Sequence, residues 1–317
     1  MKISIIIPAY NSQKTIGQAI AACRAIEWAD KEVIVVDDGS TDRTAEIAQS
    51  SGVRVIRQKN GGPAAARNTG WKAATGEICF FTDADCLPHP DFLTRVAPHF
   101  ADATVGGVGG TYGIANPHSL LARLIHGEIL HRHSAMRGAV DYLGSFNCSY
   151  RRSVLEQAGG FDERFKTASA EDNDLSYRVR DAGHRLVFEP SAAVDHFHEE
   201  LAPQYLRRQY NHGVWRVLLY RLHRGRMKGD KYAGLADLIQ PPLALLLTAC
   251  SPLLFFAAAR PIVWAITAVY LFTLSARPVN AAVKTASAEP LMFIPVLFLR
   301  GFARGLGLAR GVMKFGM

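Results

Sequence analysis

The sequence lacks the marks of several common classes. Its five cysteines, Cys23, Cys79, Cys86, Cys148 and Cys250, are odd in number and never fall at CxxC spacing. That argues against both a disulfide framework and a cysteine zinc site. The glycine-bearing segment Asn60-Gly61-Gly62-Pro63 is not GxGxxG, so a dinucleotide-binding fold is unsupported. The opening run, MKISIIIPAYN, carries one lysine and is ended by Pro8. It is too short for a signal-peptide core and reads as a buried strand. Acid is in deficit: 28 Asp and Glu stand against 36 Lys and Arg, a formal net charge of +8. This balance suits nucleic acid, anionic lipid or a phosphorylated ligand alike.

A chain of 317 residues exceeds the usual single-domain size, so one large α/β domain plus an appended module is expected. Hydrophobic residues make up 49%, and the mean hydropathy of +0.04 indicates that they are concentrated somewhere. In the first half, short apolar runs near 3–7, 32–36, 53–57, 77–82 and 104–111 alternate with helical patterns near 14–26, 42–50, 63–74 and 90–100. This is the pattern of βαβ units and a mainly parallel sheet. Loop residues follow the strands: Pro8-Ala9-Tyr10-Asn11, Asp37-Asp38-Gly39-Ser40, Asn60-Gly61-Gly62-Pro63 and Asp83-Ala84-Asp85. In open α/β sheets ligands bind beyond the carboxyl ends of strands, so these four loops are expected to line one crevice.

Residues 116–137 form a helical stretch with His118, His126, His131 and His133. With no carboxylate or cysteine at ligand spacing, a solvated or acceptor-facing helix is expected rather than a metal site. An α/β pattern resumes over 141–198, with Glu171-Asp172-Asn173-Asp174 opening a helix. From Arg207 to Lys231, eight Lys and Arg face a single acid, Asp230, and are interleaved with apolar residues. This predicts a basic amphipathic helix at an anionic membrane, spanning about 201–233. From Leu238 to Ala276 only Arg260 is charged, which favours a membrane over nucleic acid as the partner. Segments 238–259 and 261–276 read as a helical hairpin. A third apolar stretch, from 290, is short; it is re-entrant, interfacial, or joined to the glycine-rich residues after it as far as about 306. The expected organisation is a domain over 1–200, the basic helix, and a membrane region over 234–317. The basic block is expected to place the first domain on the cytoplasmic side by the positive-inside rule.

Phe80-Phe81-Thr82-Asp83-Ala84-Asp85 is an apolar strand ending in two carboxylates at i and i+2. Hard divalent cations require oxygen donors and usually help to hold ligand phosphates, so this loop suggests a metal and a polar ligand. Asp37 and Asp38 repeat the design, and their like charges cost stability unless something binds them. Arg67, about one turn into a helix started by Pro63, is placed to pair bidentately with a diphosphate.

Together these motifs closely resemble the family 2 inverting glycosyltransferases of the GT-A class, over about residues 1–200. The resemblance implies that the segment with Pro8, Tyr10 and Asn11, and the second aspartate of the Asp37-Asp38 pair, hold the nucleoside. Asp83 with Arg67 would hold the rest of the nucleotide-sugar, and Asp85 a divalent Mn or Mg ion. His196, or else His198, would complete the metal site. Asp172 of the Glu171-Asp172 pair would be the catalytic base, with Glu171 the alternative, and Gly159-Gly160-Phe161-Asp162 matches the family's turn before the base. The implied donor is a nucleotide-diphosphate sugar, and the implied acceptor is lipid-linked or a cell-envelope glycan. Processive synthases carry QxxRW before their membrane helices; here the region reads Gln204-Tyr-Leu-Arg-Arg-Gln-Tyr-Asn, which favours single addition. A sugar nucleotidyltransferase would need a glycine-rich basic loop where Pro8-Ala9-Tyr10-Asn11 stands. The intact acidic pairs speak against a non-catalytic sugar-nucleotide-binding scaffold.

Overall fold

The structure, a computed structural model, describes residues 1–134, 136–226 and 235–316. It contains two compact units, one of Met1–Asn116 and Ile129–His198, the other of Pro117–Glu128 and Glu199–Met317. The first unit carries, in chain order, β1 (Ile3–Ala9), α1 (Ile16–Ala25), β2 (Lys31–Asp37), α2 (Thr44–Ser50), β3 (Arg54–Arg57), α3 (Pro63–Ala73), β4 (Ile78–Thr82), β5 (Cys86–Pro88), α4 (Phe92–Val96) and β6 (Val105–Ile114). After α5 (Leu120–His133), whose residues divide between the units, come β7 (Gly138–Val140), β8 (Asn147–Arg151), α6 (Arg152–Ala158), α7 (Glu171–Asp181) and β9 (Arg185–His196).

The nine strands form one sheet in the order β3-β2-β1-β4-β8-β6-β9-β5, with β7 also on β9. The longer ladders, β1 with β2 and β6 with β9, are parallel. β8 runs antiparallel between β4 and β6, and β5 and β7 run antiparallel to β9. Because the reversed β8 separates β4 from β6, strands β1, β2, β4, β6 and β9 all point the same way. Their carboxyl ends share one edge, as expected for the crevice. Ile5, Ile6 and Ile7 are all fully buried, which is why the first apolar run does not alternate with polar residues.

The expected strands and helices fall within a few residues of those observed, with one shortened. The helix near 90–100 stops at Val96 and continues as a 3-10 turn over Ala97–Ala101. Pro98 has no N–H to sustain the α-helical ladder there.

The second unit holds α8 (Ala202–Leu222), α9 (Leu235–Cys250), α10 (Arg260–Thr285) and α11 (Ile294–Phe315). The basic helix ends at Leu222; Lys228, Asp230 and Lys231 of the basic block, and the boundary at 233–234, lie outside the described residues. α8 also rests backbone to backbone on α11, where a Cβ added at Gly213, Gly307 or Gly311 would strike the facing helix. The first apolar helix gives way at Cys250 to 3-10 turns over Ser251–Phe255 and Ala257–Ala259, so the break begins at Ser251-Pro252, before Arg260-Pro261. The third apolar stretch joins the glycine-rich residues in one helix. Three stretches, Ala236–Phe255, Ala257–Thr285 and Glu289–Phe315, are long and apolar enough to cross a membrane. Phe255, Ile262, Trp264, Phe272 and Val283 are exposed along the first two. Only 17% of the apolar window in each of these two is buried, so they are not buried core helices.

Candidate active site

Asp37 ends β2 and Asp38 follows it. Asp37 is fully buried and its carboxylate accepts from Arg57 Nε at 3.0 Å and from the Ser40 N–H at 3.2 Å. Asp38 accepts from the Gly61 and Gly62 N–H groups at 2.9 and 2.8 Å and from Gln58 Nε2 at 2.7 Å. Both charges are therefore met within the protein, and the inference that a ligand must offset them does not hold. Their structural work is to fix the loop before α3. Gly62 sits at φ 91°, and a Cβ there would lie 2.8 Å from the Lys166 carbonyl oxygen. Asn11, itself at φ 49°, ties the β1 loop to this one. It accepts from the Thr41 N–H at 2.9 Å and donates its own N–H to Ser40 Oγ at 3.0 Å. Pro8 is half-buried and Tyr10 stands exposed on the same loop.

Arg67 lies just over one turn into α3 and is 1% exposed. It is not available as the expected diphosphate clamp. Its terminal nitrogens donate to Glu171 Oε1 and Asp83 Oδ1, both at 2.8 Å. Burial works against its charge, but Asp83 and then Glu171 outweigh burial and hold the guanidinium above its ordinary range. The Phe161 ring lies 5.5 Å below it. Asn68, the next residue, fixes Phe161 by donating Nδ2 to the Phe161 carbonyl at 2.8 Å and accepting the Phe161 N–H at 2.9 Å. The Gly159-Gly160-Phe161-Asp162 turn thus braces Arg67. Gly160 is required, because at φ 71° its Cβ would lie 2.5 Å from Asn68 Oδ1.

Glu171 opens α7, and its second oxygen accepts the Ser169 N–H at 2.6 Å. Between them Ala170 is forced to φ 71°, a backbone strain of the kind that persists where surroundings over-determine it. Burial, then repulsion from Asp172, raises Glu171 to about 7, with Arg67 opposing. Asp172 is half-buried and accepts the Asn173 N–H at 2.8 Å. With both Glu171 oxygens committed, Asp172 is the better placed of the two to face a substrate.

Asp83 and Asp85 leave β4 with about a third of each side chain exposed. The short ladder between β5 and β9 sets Cys86 opposite His196. This brings His196 Nε2 to 3.5 Å from Asp85 Oδ2. Asp85, Cys86 and His196 form a cluster able to hold a metal ion. Burial and then the Asp85 charge push the Cys86 thiol far up, so oxygen and imidazole are the effective donors, a set that suits Mn²⁺ or Mg²⁺. His198 touches His196 through Nδ1 at 2.9 Å, and its backbone is held by Asn116, which donates to its carbonyl and accepts its N–H. His196 is thus the imidazole facing Asp85, with His198 behind it. Sequence spacing could not reveal the roles of Asn68, Ser169 or Asn116, because each acts on a partner distant in the chain or through its own backbone.

Residues 4–159 match the Glycosyl transferase family 2 domain. The chain carries a family 2 glycosyltransferase domain. The "Pre-mycofactocin glycosyltransferase" of Mycobacterium tuberculosis is 31% identical over 225 residues, covering 67% of this chain and 46% of the relative. The "Poly-beta-1,6-N-acetyl-D-glucosamine synthase" of Staphylococcus aureus is 28% identical over 202 residues, covering 60% of this chain and 48% of the relative. The chain thus spans about half the length of these curated relatives. Among solved structures, a mannosyltransferase from Pyrobaculum calidifontis in complex with GDP-Man and Mn²⁺ superposes with a TM-score of 0.61 at 20% identity, over 99% of this chain and 88% of that one. This establishes the GT-A fold for the family 2 domain.

Proposed function

We propose that this protein is an inverting glycosyltransferase that moves a sugar from a nucleotide-diphosphate sugar to an acceptor hydroxyl or phosphate. The observation that carries this is the buried Arg67 pairing Asp83 with Glu171, with Asp172 beside Glu171 and with Asp85, two residues after Asp83, facing His196. So many carboxylates around one fixed cation suit a ligand that brings positive charge with it. Tyr10, Asn11 and the Asp37-Asp38 loop hold the nucleoside, and Asp83 the sugar or ribose hydroxyls. Asp85 and His196 would hold the divalent ion, which when bound offsets the charge of the diphosphate. Asp172 takes the proton of an acceptor hydroxyl while that oxygen attacks the anomeric carbon. The bond from that carbon to the diphosphate oxygen breaks on the opposite face, its electron pair leaving with the nucleoside diphosphate.

The three apolar helices and the basic residues before them support anchoring in the cytoplasmic membrane, with the catalytic unit on the cytoplasmic face and a lipid-linked or cell-envelope glycan acceptor. The glycan-synthase relative and the GDP-Man and Mn²⁺ in the mannosyltransferase structure are consistent with such a donor, acceptor class and ion.

The test is release of nucleoside diphosphate by detergent-purified protein supplied with membrane lipid extract. UDP-, GDP- and dTDP-sugars are compared with and without Mn²⁺ or Mg²⁺. Metal-dependent release from one donor is expected, abolished in Asp85→Ala, while Asp172→Asn keeps donor binding and loses transfer. Absence of donor binding and release across the panel refutes the function, and wild-type transfer by Asp172→Asn refutes the assigned base.

A further inference from the structure

We propose that Arg67 is a positioning residue that couples the donor-binding carboxylate Asp83 to the turn presenting Asp172, with Glu171 as the link. This rests on the glycosyltransferase reading of the site and assigns Glu171 a scaffolding role within it.

Three elements that meet only in the folded chain are joined through one side chain. Arg67 comes from α3, Asp83 from the end of β4, and Glu171 from the start of α7. A guanidinium is a rigid planar fork, so one nitrogen on each carboxylate fixes the distance between them in a way that a lysine ammonium cannot. Glu171 carries the constraint onward. One oxygen takes Arg67, and the other takes the Ser169 N–H, closing the turn that holds Ala170 at φ 71°, two residues before Asp172. Displacement of either carboxylate must carry the guanidinium along or break a charge-assisted hydrogen bond.

Stability alone explains this arrangement poorly. Arg67 Nε is buried without a hydrogen-bond partner among the described residues. A buried cation with an unmet donor is costly compared with apolar side chains of the same volume. The Asn68 clamp on Phe161 further restrains the fork from below.

The experiment uses the full-length detergent-purified protein, Mn²⁺, and the nucleoside diphosphate of whichever donor supports release. Affinity is measured by calorimetric titration and folding by thermal melting. Asp83→Asn, Glu171→Gln and the double variant form a cycle. Glu171→Gln is expected to weaken nucleoside diphosphate binding about fivefold or more alone, yet to add little to Asp83→Asn, a departure from independence typical of groups sharing a partner. Arg67→Lys, which keeps the charge without the fork, is expected to remove that coupling while melting within a few degrees of wild type.

Independent effects in the cycle overturn the proposal. So does an Arg67→Met/Glu171→Gln variant that regains both wild-type melting and wild-type affinity, because the pair would then be purely structural. A double variant that regains melting but not affinity supports it. A wild-type protein that binds and turns over no donor refutes the glycosyltransferase reading itself, a different outcome from an active wild type with independent effects.

Discussion

Replacing Gly307 with alanine tests how α8 and α11 meet, because two effects of known sign oppose each other there. In an open helix interior the change stabilises by about 1 kcal/mol through helix propensity. At Gly307, however, the added Cβ would enter the van der Waals envelope of the Tyr210 carbonyl oxygen by more than 1 Å, against backbone that cannot swing aside. Overpacking of this kind costs about 1–3 kcal/mol. Separating the helices also strains the 2.8 Å bond from Arg304 Nε to Gln209. With rigid backbone on the facing helix, the cost falls in the upper part of that range, so the steric effect wins by about 1–2 kcal/mol, and Gly307→Ala is expected to melt roughly 2–8 °C below wild type. Gly127, within α5, is the internal control, since a Cβ there meets nothing within 4 Å. Gly127→Ala is expected to melt slightly above wild type. The assay is heating of detergent-purified protein followed by tryptophan fluorescence, to which Trp215 on α8, 5.4 Å from Phe315 on α11, contributes a local signal. If both variants melt above wild type, propensity dominates at both sites and the two helices do not meet at these glycines.

Two further outcomes follow from the catalytic unit. Glu171 is raised from 4.5 to about 7 by burial first and Asp172 second. A carboxyl raised on folding favours the folded state most below pH 4.5, and that contribution is lost as pH rises through 7. Wild type is therefore expected to lose stability relative to Glu171→Gln between pH 5 and pH 8 in parallel melts; equal slopes would refute the shift. In Asp38→Asn, the two glycine N–H groups and Gln58 compete for a single acceptor oxygen, so about 1–3 kcal/mol of stability and part of the nucleoside diphosphate affinity are expected to go. Unchanged melting would show that the loop is held by other means.

What was legible in the sequence is what is local. Apolar runs ending in Asp37 and Asp83, Pro63 opening a helix, and Glu171 opening another are each contained in one short segment, and each stands where expected. What was not legible depends on pairing across the chain. The three-residue strand β5 is too short to show a period, yet its ladder brings His196 to Asp85. The charges at Asp37, Asp38 and Arg67 looked as if they awaited a ligand because each was weighed alone. The fold supplies Arg57 for the first, the Gly61 and Gly62 amides for the second, and Asp83 with Glu171 for the third. A charge predicted from spacing to bind substrate has therefore to be set against the partners the fold can bring to it. Applied here, that comparison shifts the chemistry toward the partly solvent-facing carboxylates of Asp83, Asp85 and Asp172. Arg67, whose spacing alone suits a contact to the diphosphate, instead holds two of the acidic segments in register.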